Sequence, residues 1–199
     1  MHASTTRDVV YSQCCLFFFW AVCIALEPRF LFERNEGGLS NFGVHARTVV
    51  PYSLAFLLPA LLIARAALAI DEVDTTARRF RRILLALAWL LLAVLVSTYC
   101  YKLNVELRDL HIGVAIAMLC FETAASAWIA LAVTGRLVDR VLLGVQVAGL
   151  VIAALTLVGA LHLLFFAQLV TSAAFGALLV RGALALEHRG GSTAHVPAQ

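Results

Sequence analysis

Residues 141–186 constrain the fold more than any other part of the chain, because they form an almost unbroken apolar run of 46 residues. As one α-helix this run would be about 69 Å long, more than twice the ~30 Å hydrocarbon core of a bilayer. It must therefore turn back on itself, and its one local weakness is Gly159-Ala-Leu-His162. The run predicts a tight helical hairpin with spans at residues 141–161 and 163–186.

The composition extends this conclusion to the whole chain. Hydrophobic residues make up 62% and charged residues 14% of the sequence, whereas soluble domains carry about 25% charged residues. Four further apolar segments, residues 9–26, 49–70, 83–101 and 112–133, are long enough to cross a bilayer. We predict an all-α bundle of six transmembrane helices in a single domain, residues 1–186, with a disordered tail at 187–199.

The distribution of positive charge predicts the orientation. Six spans place both termini on one side, and the tails, the second and fourth loops and the nearby span ends carry ten Lys/Arg residues against five on the other side. The positive-inside rule therefore places both termini in the cytoplasm. The arginine cluster on that side is worth about 1 kcal/mol per charge against anionic lipid; it comprises Arg78, Arg79, Arg81 and Arg82. The arginine-rich, alanine-rich composition is typical of a bacterium, so we expect the bacterial inner membrane.

Glu122 is the polar residue that most needs an explanation, because it falls near the middle of the fourth span. A carboxylate at the membrane centre costs at least about 2.5–3.5 kcal/mol. Helical spacing puts Glu122 on a stripe of small residues beside Ser126, which predicts that it faces the bundle interior. No cation is expected at its depth, so the neutral acid is favoured. Thr171 and Ser172 are the expected partners. A proton or lipid contact and a purely structural acid both remain open.

Three histidines are predicted to lie at one depth on the outer side, with Asp109 nearby: His45, His111 and His162. Three imidazoles with an open position would suit zinc. Their spacings of 66 and 51 residues match no metal motif, however, and histidines are common at membrane interfaces. We therefore expect no cofactor, with zinc on these histidines as the alternative.

Several short features together resemble a known family. An outer loop carries Leu39-Ser40-Asn41-Phe42-Gly43, a proline-containing span and an inward arginine cluster follow, and Leu110-His111 opens the fourth span. This pattern resembles the bacterial membrane proteins of domain-of-unknown-function family 998 and, more distantly, the six-helix DRAM/Sfk family. The resemblance implies six helices with both termini inside. It implies no defined chemistry, although eukaryotic relatives act in membrane trafficking or lipid organisation.

The sequence leaves three functions open. The favoured one is a non-enzymatic accessory, scaffold or lipid-organising protein, since no nucleophile–base order, phosphate-binding loop or paired-carboxylate motif is present. The alternatives are a lipid-modifying membrane enzyme that uses the outer histidines and a metal, and a small proton-coupled transporter built around Glu122. Expected partners are membrane lipids, other membrane proteins or a second copy of the chain. The net charge of +3, without basic tails, indicates no nucleic-acid partner.

Overall fold

The computed structural model of this chain describes residues 3–31, 38–72, 74–101 and 103–192. These ranges form α-helices and short turns, and none of them forms a strand. The helices are α1 (Ala3–Leu26), α2 (Ser40–Gly43), α3 (Val49–Leu68), α4 (Thr75–Cys100), α5 (Val105–Trp128), α6 (Leu137–Leu157) and α7 (Leu164–Ser192). A 3-10 turn (Pro28–Leu31) follows α1, and α5 continues as a π-helical stretch (Ile129–Thr134).

Six of these helices are long and apolar enough to cross a membrane, which confirms the predicted all-α, six-helix bundle. The helices α1, α4 and α5 begin earlier than the predicted residues 9, 83 and 112. Side-chain caps explain the early start of two of them. Asp74 accepts a hydrogen bond from the Ala77 amide (2.6 Å), and Asn104 accepts one from the Leu107 amide (2.8 Å). Such caps satisfy free backbone N–H groups, so the helices continue into polar sequence.

The apolar run turns back where the sequence predicted. The helix α6 ends at Leu157 and α7 begins at Leu164. Gly159 lies in the turn with a φ of +77°, a left-handed conformation that glycine adopts without a steric penalty. Spans five and six are therefore a hairpin, and α6 and α7 pack against each other along its length.

The C-terminal prediction needs a correction. We predicted a disordered tail from residue 187, but α7 continues to Ser192. The Arg189 guanidinium donates a hydrogen bond to the Val133 carbonyl at 2.8 Å, which ties the last turns of α7 to the end of the π-helical stretch. Residues 193–199 of the predicted tail lie outside the described residues.

The two ends of the bundle differ in their side chains. The α1–α3, α4–α5 and α6–α7 connections lie at one end, which we call the histidine end after His45, His111 and His162. The α3–α4 and α5–α6 connections lie at the opposite end, which we call the arginine end after Arg78 and Arg136. Between them, α3 packs against α1 and α4, α5 packs against α4, and α7 packs against α6 and α1.

Residues 38–44 fold into the histidine end rather than over it, and we call them the inserted segment. Leu39, Ser40 and Phe42 are buried there. The Phe42 ring meets the Phe165 ring of α7 edge-on, with 6.1 Å between the ring centroids. The inserted segment thus supplies part of the interior of the bundle.

Candidate intramembrane cavity

Glu122 lies inside the bundle, with only 4% of its surface exposed. Its polar neighbour is Gln146 of α6. Neither polar atom of the Gln146 amide makes a hydrogen bond to a described residue, so the amide lies beside the acid without bonding it. Ser126, one turn further along α5, is fully buried and its hydroxyl also lacks a partner among the described residues. The carboxyl group therefore belongs to a polar patch that the protein leaves partly unsatisfied.

A cavity of about 70 Å³ lies beside Glu122. Its wall is mostly apolar, with Trp20 of α1, Phe56 of α3 and Met118 of α5 among the lining side chains. No lysine, arginine or histidine among the described residues lines this cavity. The indole N–H of Trp20 is buried without a hydrogen-bond partner among the described groups, so it is a free donor at the wall.

A second cavity of about 150 Å³ lies next to the first, toward the histidine end. The two cavities share four lining residues, and we refer to them together as the joined cavities; the shared residues are Ser40, Ala115, Leu119 and Gln168. The second cavity also reaches His111 and Arg108. It is bordered by Ile116 and Leu157, whose side chains are 42% and 46% exposed on the outer surface of α5 and α6. The second cavity thus lies between these helices on the side that faces the membrane.

The depth of this space follows from its position on α5. Arg108 and Glu122 are 14 residues apart, which is about 21 Å along an α-helix. Half of a bilayer, including its headgroup region, is about 20–22 Å thick. The joined cavities therefore extend from headgroup level to near the membrane centre.

The inserted segment borders both cavities at the histidine end. It makes hydrogen bonds with α7, with α5 and with Tyr101, which follows α4. The Leu39 amide donates to the Gln168 side-chain oxygen of α7 at 2.8 Å. Ser40 Oγ lies 2.8 Å from His111 Nε2 of α5. The Tyr101 hydroxyl, just beyond α4, donates to Asn41 Oδ1 at 3.2 Å. Burial raises the pKa of the Tyr101 phenol, which keeps its proton available for this bond.

The two serines beside His111 suit one tautomer of the neutral ring. When Ser97 Oγ donates its proton to the Val94 carbonyl at 3.1 Å, it accepts from His111 Nδ1, 2.9 Å away. In that arrangement His111 Nε2 has a free lone pair and accepts the hydroxyl proton of Ser40. The Tyr101 ring stacks on the imidazole with 5.0 Å between the centroids, which fixes the plane of the ring.

The structure separates the three histidines that were considered for zinc. His45 Nε2 lies 3.1 Å from the Arg29 guanidinium, and His162 lies in the turn between α6 and α7. The described residues contain no group of three His, Cys, Asp or Glu side chains placed to hold a metal ion. Asp109 is exposed and pairs with Arg108 at 3.5 Å. The described residues thus do not bring His45, His111, His162 and Asp109 together as the predicted metal-binding cluster.

The expected partners of Glu122 also differ from the prediction. Thr171 is fully buried, but its hydroxyl donates to the Ala167 carbonyl one turn earlier in α7, at 2.9 Å. Ser172 does line the cavity with Glu122. Gln146, Gln168 and Trp20 were not among the predicted site residues. Helical spacing cannot reveal such residues, because they lie on other helices whose rotation the sequence does not specify.

Two acids that are buried within the helices were missed. Asp8 is 2% exposed, and its carboxylate receives two hydrogen bonds of 2.6 and 2.5 Å from Arg65 of α3. Asp139 is fully buried in the first turn of α6 and pairs with Arg181 of α7. Each of these arginines neutralises an acid on a neighbouring helix.

The arginine cluster is only partly free to contact lipid. Arg78 and Arg81 both pair with Glu72, at 3.2 and 2.5 Å. The Arg79 guanidinium lies over the Trp128 ring, 5.1 Å from its centroid. Arg82 is exposed. The anionic-lipid contact predicted for all four arginines thus has fewer available charges than the sequence suggested.

Comparison with protein-family models, with curated proteins and with solved structures found no match to this chain. The resemblance to domain-of-unknown-function family 998 and to the DRAM/Sfk family gains no support from these comparisons and stays a prediction. The function is therefore inferred from the two cavities and the side chains around them.

Proposed function

We propose that this chain is a multi-pass protein of the bacterial inner membrane that binds one lipid molecule in the joined cavities, in a lipid-organising or accessory role. The observation that carries the proposal is the pair of adjacent cavities between Arg108 and Glu122, the outer of which borders exposed side chains of α5 and α6. The positive-inside distribution supports a cytoplasmic position for the arginine end and both termini, which puts the cavity in the outer leaflet.

The shape and chemistry of the space suit a glycerophospholipid. Binding pockets for small molecules are typically about 300–1,000 Å³, mostly apolar, with a few polar groups that fix orientation. The two cavities, of about 70 and 150 Å³, are smaller than this, so we expect them to hold part of one acyl chain and its ester while the rest of the lipid stays in the bilayer. Arg108, which is 55% exposed, lies at headgroup level, where its guanidinium would contact a phosphate in two-pronged geometry. The apolar wall below it would receive an acyl chain.

In this proposal Glu122 is a neutral acid at the floor of the inner cavity, with the Gln146 amide beside it. A carboxylate at this depth would need a cation, and none lines the surrounding wall among the described residues. Proton transport stays a separate hypothesis, which unchanged proton flux in liposomes with Glu122→Gln would exclude.

Native mass spectrometry of the protein, purified in mild detergent, tests lipid binding. We expect one phospholipid that stays bound after detergent removal in the spectrometer. Ala115→Trp would fill the junction between the cavities and should remove this lipid, because Ala115 lines both. Ala117→Trp is the matched control, since Ala117 is on the exposed side of the same helix. Equal lipid retention by the two variants would contradict the proposal.

A further inference from the structure

We propose that the cavity also has an ester-cleaving centre, in which Ser40 is the nucleophile and His111 the general base, acting on an acyl ester of the bound phospholipid. This inference rests on the proposed lipid binding. It uses the Leu39-Ser40-Asn41-Phe42-Gly43 motif, to which the binding role alone gives no chemistry.

The first support is the hydrogen-bond relay already described. Nucleophilic catalysis by serine requires a base within about 2.6–3.2 Å of the hydroxyl and a third group that orients the base. Ser40 Oγ is 2.8 Å from His111 Nε2, which has a free lone pair in the tautomer protonated on Nδ1. In that tautomer Ser97 accepts the Nδ1 proton at 2.9 Å and acts as the positioning residue. The proposal assigns this tautomer to His111, because its bond directions are those that proton transfer from Ser40 to His111 needs.

The second support is access. Ser40 and His111 are buried, with 8% and 6% of their surfaces exposed. Ser40 lines both cavities and His111 lines the outer one. The hydroxyl thus faces the space that opens toward the membrane, so a substrate can reach it without unfolding the inserted segment.

The third support is a donor for the developing oxyanion. The Gln168 oxygen accepts a hydrogen bond from the Leu39 amide at 2.8 Å. Gln168 lines both cavities together with Ser40, so its side-chain NH₂ group is the donor that we assign to the oxyanion. Such a donor stabilises the negative oxygen of a tetrahedral intermediate, which is often the largest single contribution to acyl-transfer catalysis.

The substrate class follows from the depth of these groups. His111 is three residues after Arg108 on α5, about 4.5 Å further into the membrane. In a glycerophospholipid the acyl esters lie just inside the phosphate. A phosphate held by Arg108 would therefore present an ester carbonyl at the level of Ser40, with its acyl chain directed toward Glu122.

The reaction balances with water as the second reactant. Ser40 Oγ attacks the ester carbonyl and forms a new C–O bond, while His111 Nε2 takes the hydroxyl proton. The ester C–O bond then breaks, and His111 gives that proton to the departing lysophospholipid hydroxyl. Water attacks the acyl–Ser40 ester with His111 again as base, which releases a fatty acid and restores the Ser40 hydroxyl.

Covalent labelling of the full-length protein in nanodiscs tests the proposal. We would add a long-chain alkyl fluorophosphonate, which reacts with activated serines, and follow the intact mass. We expect one adduct on Ser40 in the wild type and none in Ser40→Ala. His111→Gln should label at least one hundredfold more slowly, because a general base contributes about 10²–10⁴ in rate. Ser53→Ala is the matched control, since Ser53 bonds the Val49 carbonyl instead of a histidine, and it should label like the wild type.

Two further measurements separate the possible failures. Ser97→Ala should slow labelling, and Ser97→Thr, which keeps the hydroxyl, should restore it; a purely structural Ser97 would affect protein stability without this rescue. The phospholipid retained by Ser40→Ala in native mass spectrometry reports binding alone. A wild-type protein that holds phospholipid but gives no Ser40 adduct overturns the ester-cleaving proposal and leaves lipid binding intact. Labelling at equal rates in the wild type and His111→Gln also overturns it.

Discussion

The Asp139–Arg181 pair between α6 and α7 predicts an asymmetric response to mutation. Asp139 is fully buried, whereas 30% of the Arg181 side chain is exposed. Arg181 also borders a cavity of about 370 Å³ at the arginine end, which gives its guanidinium room to turn. Removing the arginine therefore leaves a buried carboxylate without its cation, whereas removing the acid leaves a cation that can reach water.

The magnitudes follow from these two situations. Removing one partner of a buried ion pair costs about 3–5 kcal/mol, mainly because the other charge stays buried. Asp139 is in the first turn of α6, where the helix dipole favours an anion, so we take the lower limit, about 3 kcal/mol, for Arg181→Ala. For Asp139→Ala we expect about 1 kcal/mol, the value typical of a pair whose remaining member is solvated. The double variant should be more stable than Arg181→Ala.

The assay is the free energy of unfolding in bicelles, measured by titration with a denaturing detergent. Arg140→Ala is the control, since Arg140 is exposed on the same turn of α6 and its loss should change stability by less than about 0.5 kcal/mol. Equal losses for Arg181→Ala and Asp139→Ala, or a double variant that is less stable than either, would refute the burial argument.

Three further predictions concern other parts of the bundle. Gly43→Ala should destabilise the inserted segment, because its Cβ would lie 2.5–2.8 Å from side-chain atoms of α3 and α4, whereas Gly113→Ala, with open space around it, should not; thermal unfolding of the two variants compares them. Glu122→Gln should keep the unfolding free energy within about 1 kcal/mol of the wild type, because the neutral acid and the amide have similar shapes; a larger loss in the detergent titration would indicate a required charge. Arg189→Ala should increase hydrogen exchange at the last turns of α7, since it removes the bond to the Val133 carbonyl; unchanged exchange would show that this bond does not order the helix end.

The sequence was sufficient for the number and type of helices. Apolar length alone required six crossings and a hairpin near Gly159, and both are present. It was less accurate at the helix ends, because capping by Asp74 and pairing of Asp8 with Arg65 let helices include charged residues. Charged residues lower the mean hydropathy of a segment, and this average takes no account of the groups with which they pair.

The cavity could not be predicted in the same way. The sequence singled out Glu122 and His111 separately, but the space that joins them depends on how closely α5 approaches α6 and α7 at the histidine end. It depends equally on the insertion of Leu39 and Ser40 between the helices. Both are results of side-chain packing among segments far apart in the chain, which periodicity along one helix does not report.

Fluorescence quenching of Trp20 by lipid tests the central claim most directly. Trp20 is 3% exposed, so surrounding lipid does not contact it, but it lines the inner cavity. In a variant with Trp20 as the single tryptophan, placed in nanodiscs of phospholipids with brominated acyl chains, we predict strong quenching that Ala115→Phe reduces. A second variant that keeps only Trp89, which is 72% exposed, shows full quenching by bulk lipid. Unquenched Trp20 beside quenched Trp89 would contradict an acyl chain in the cavity and, with it, the proposed function.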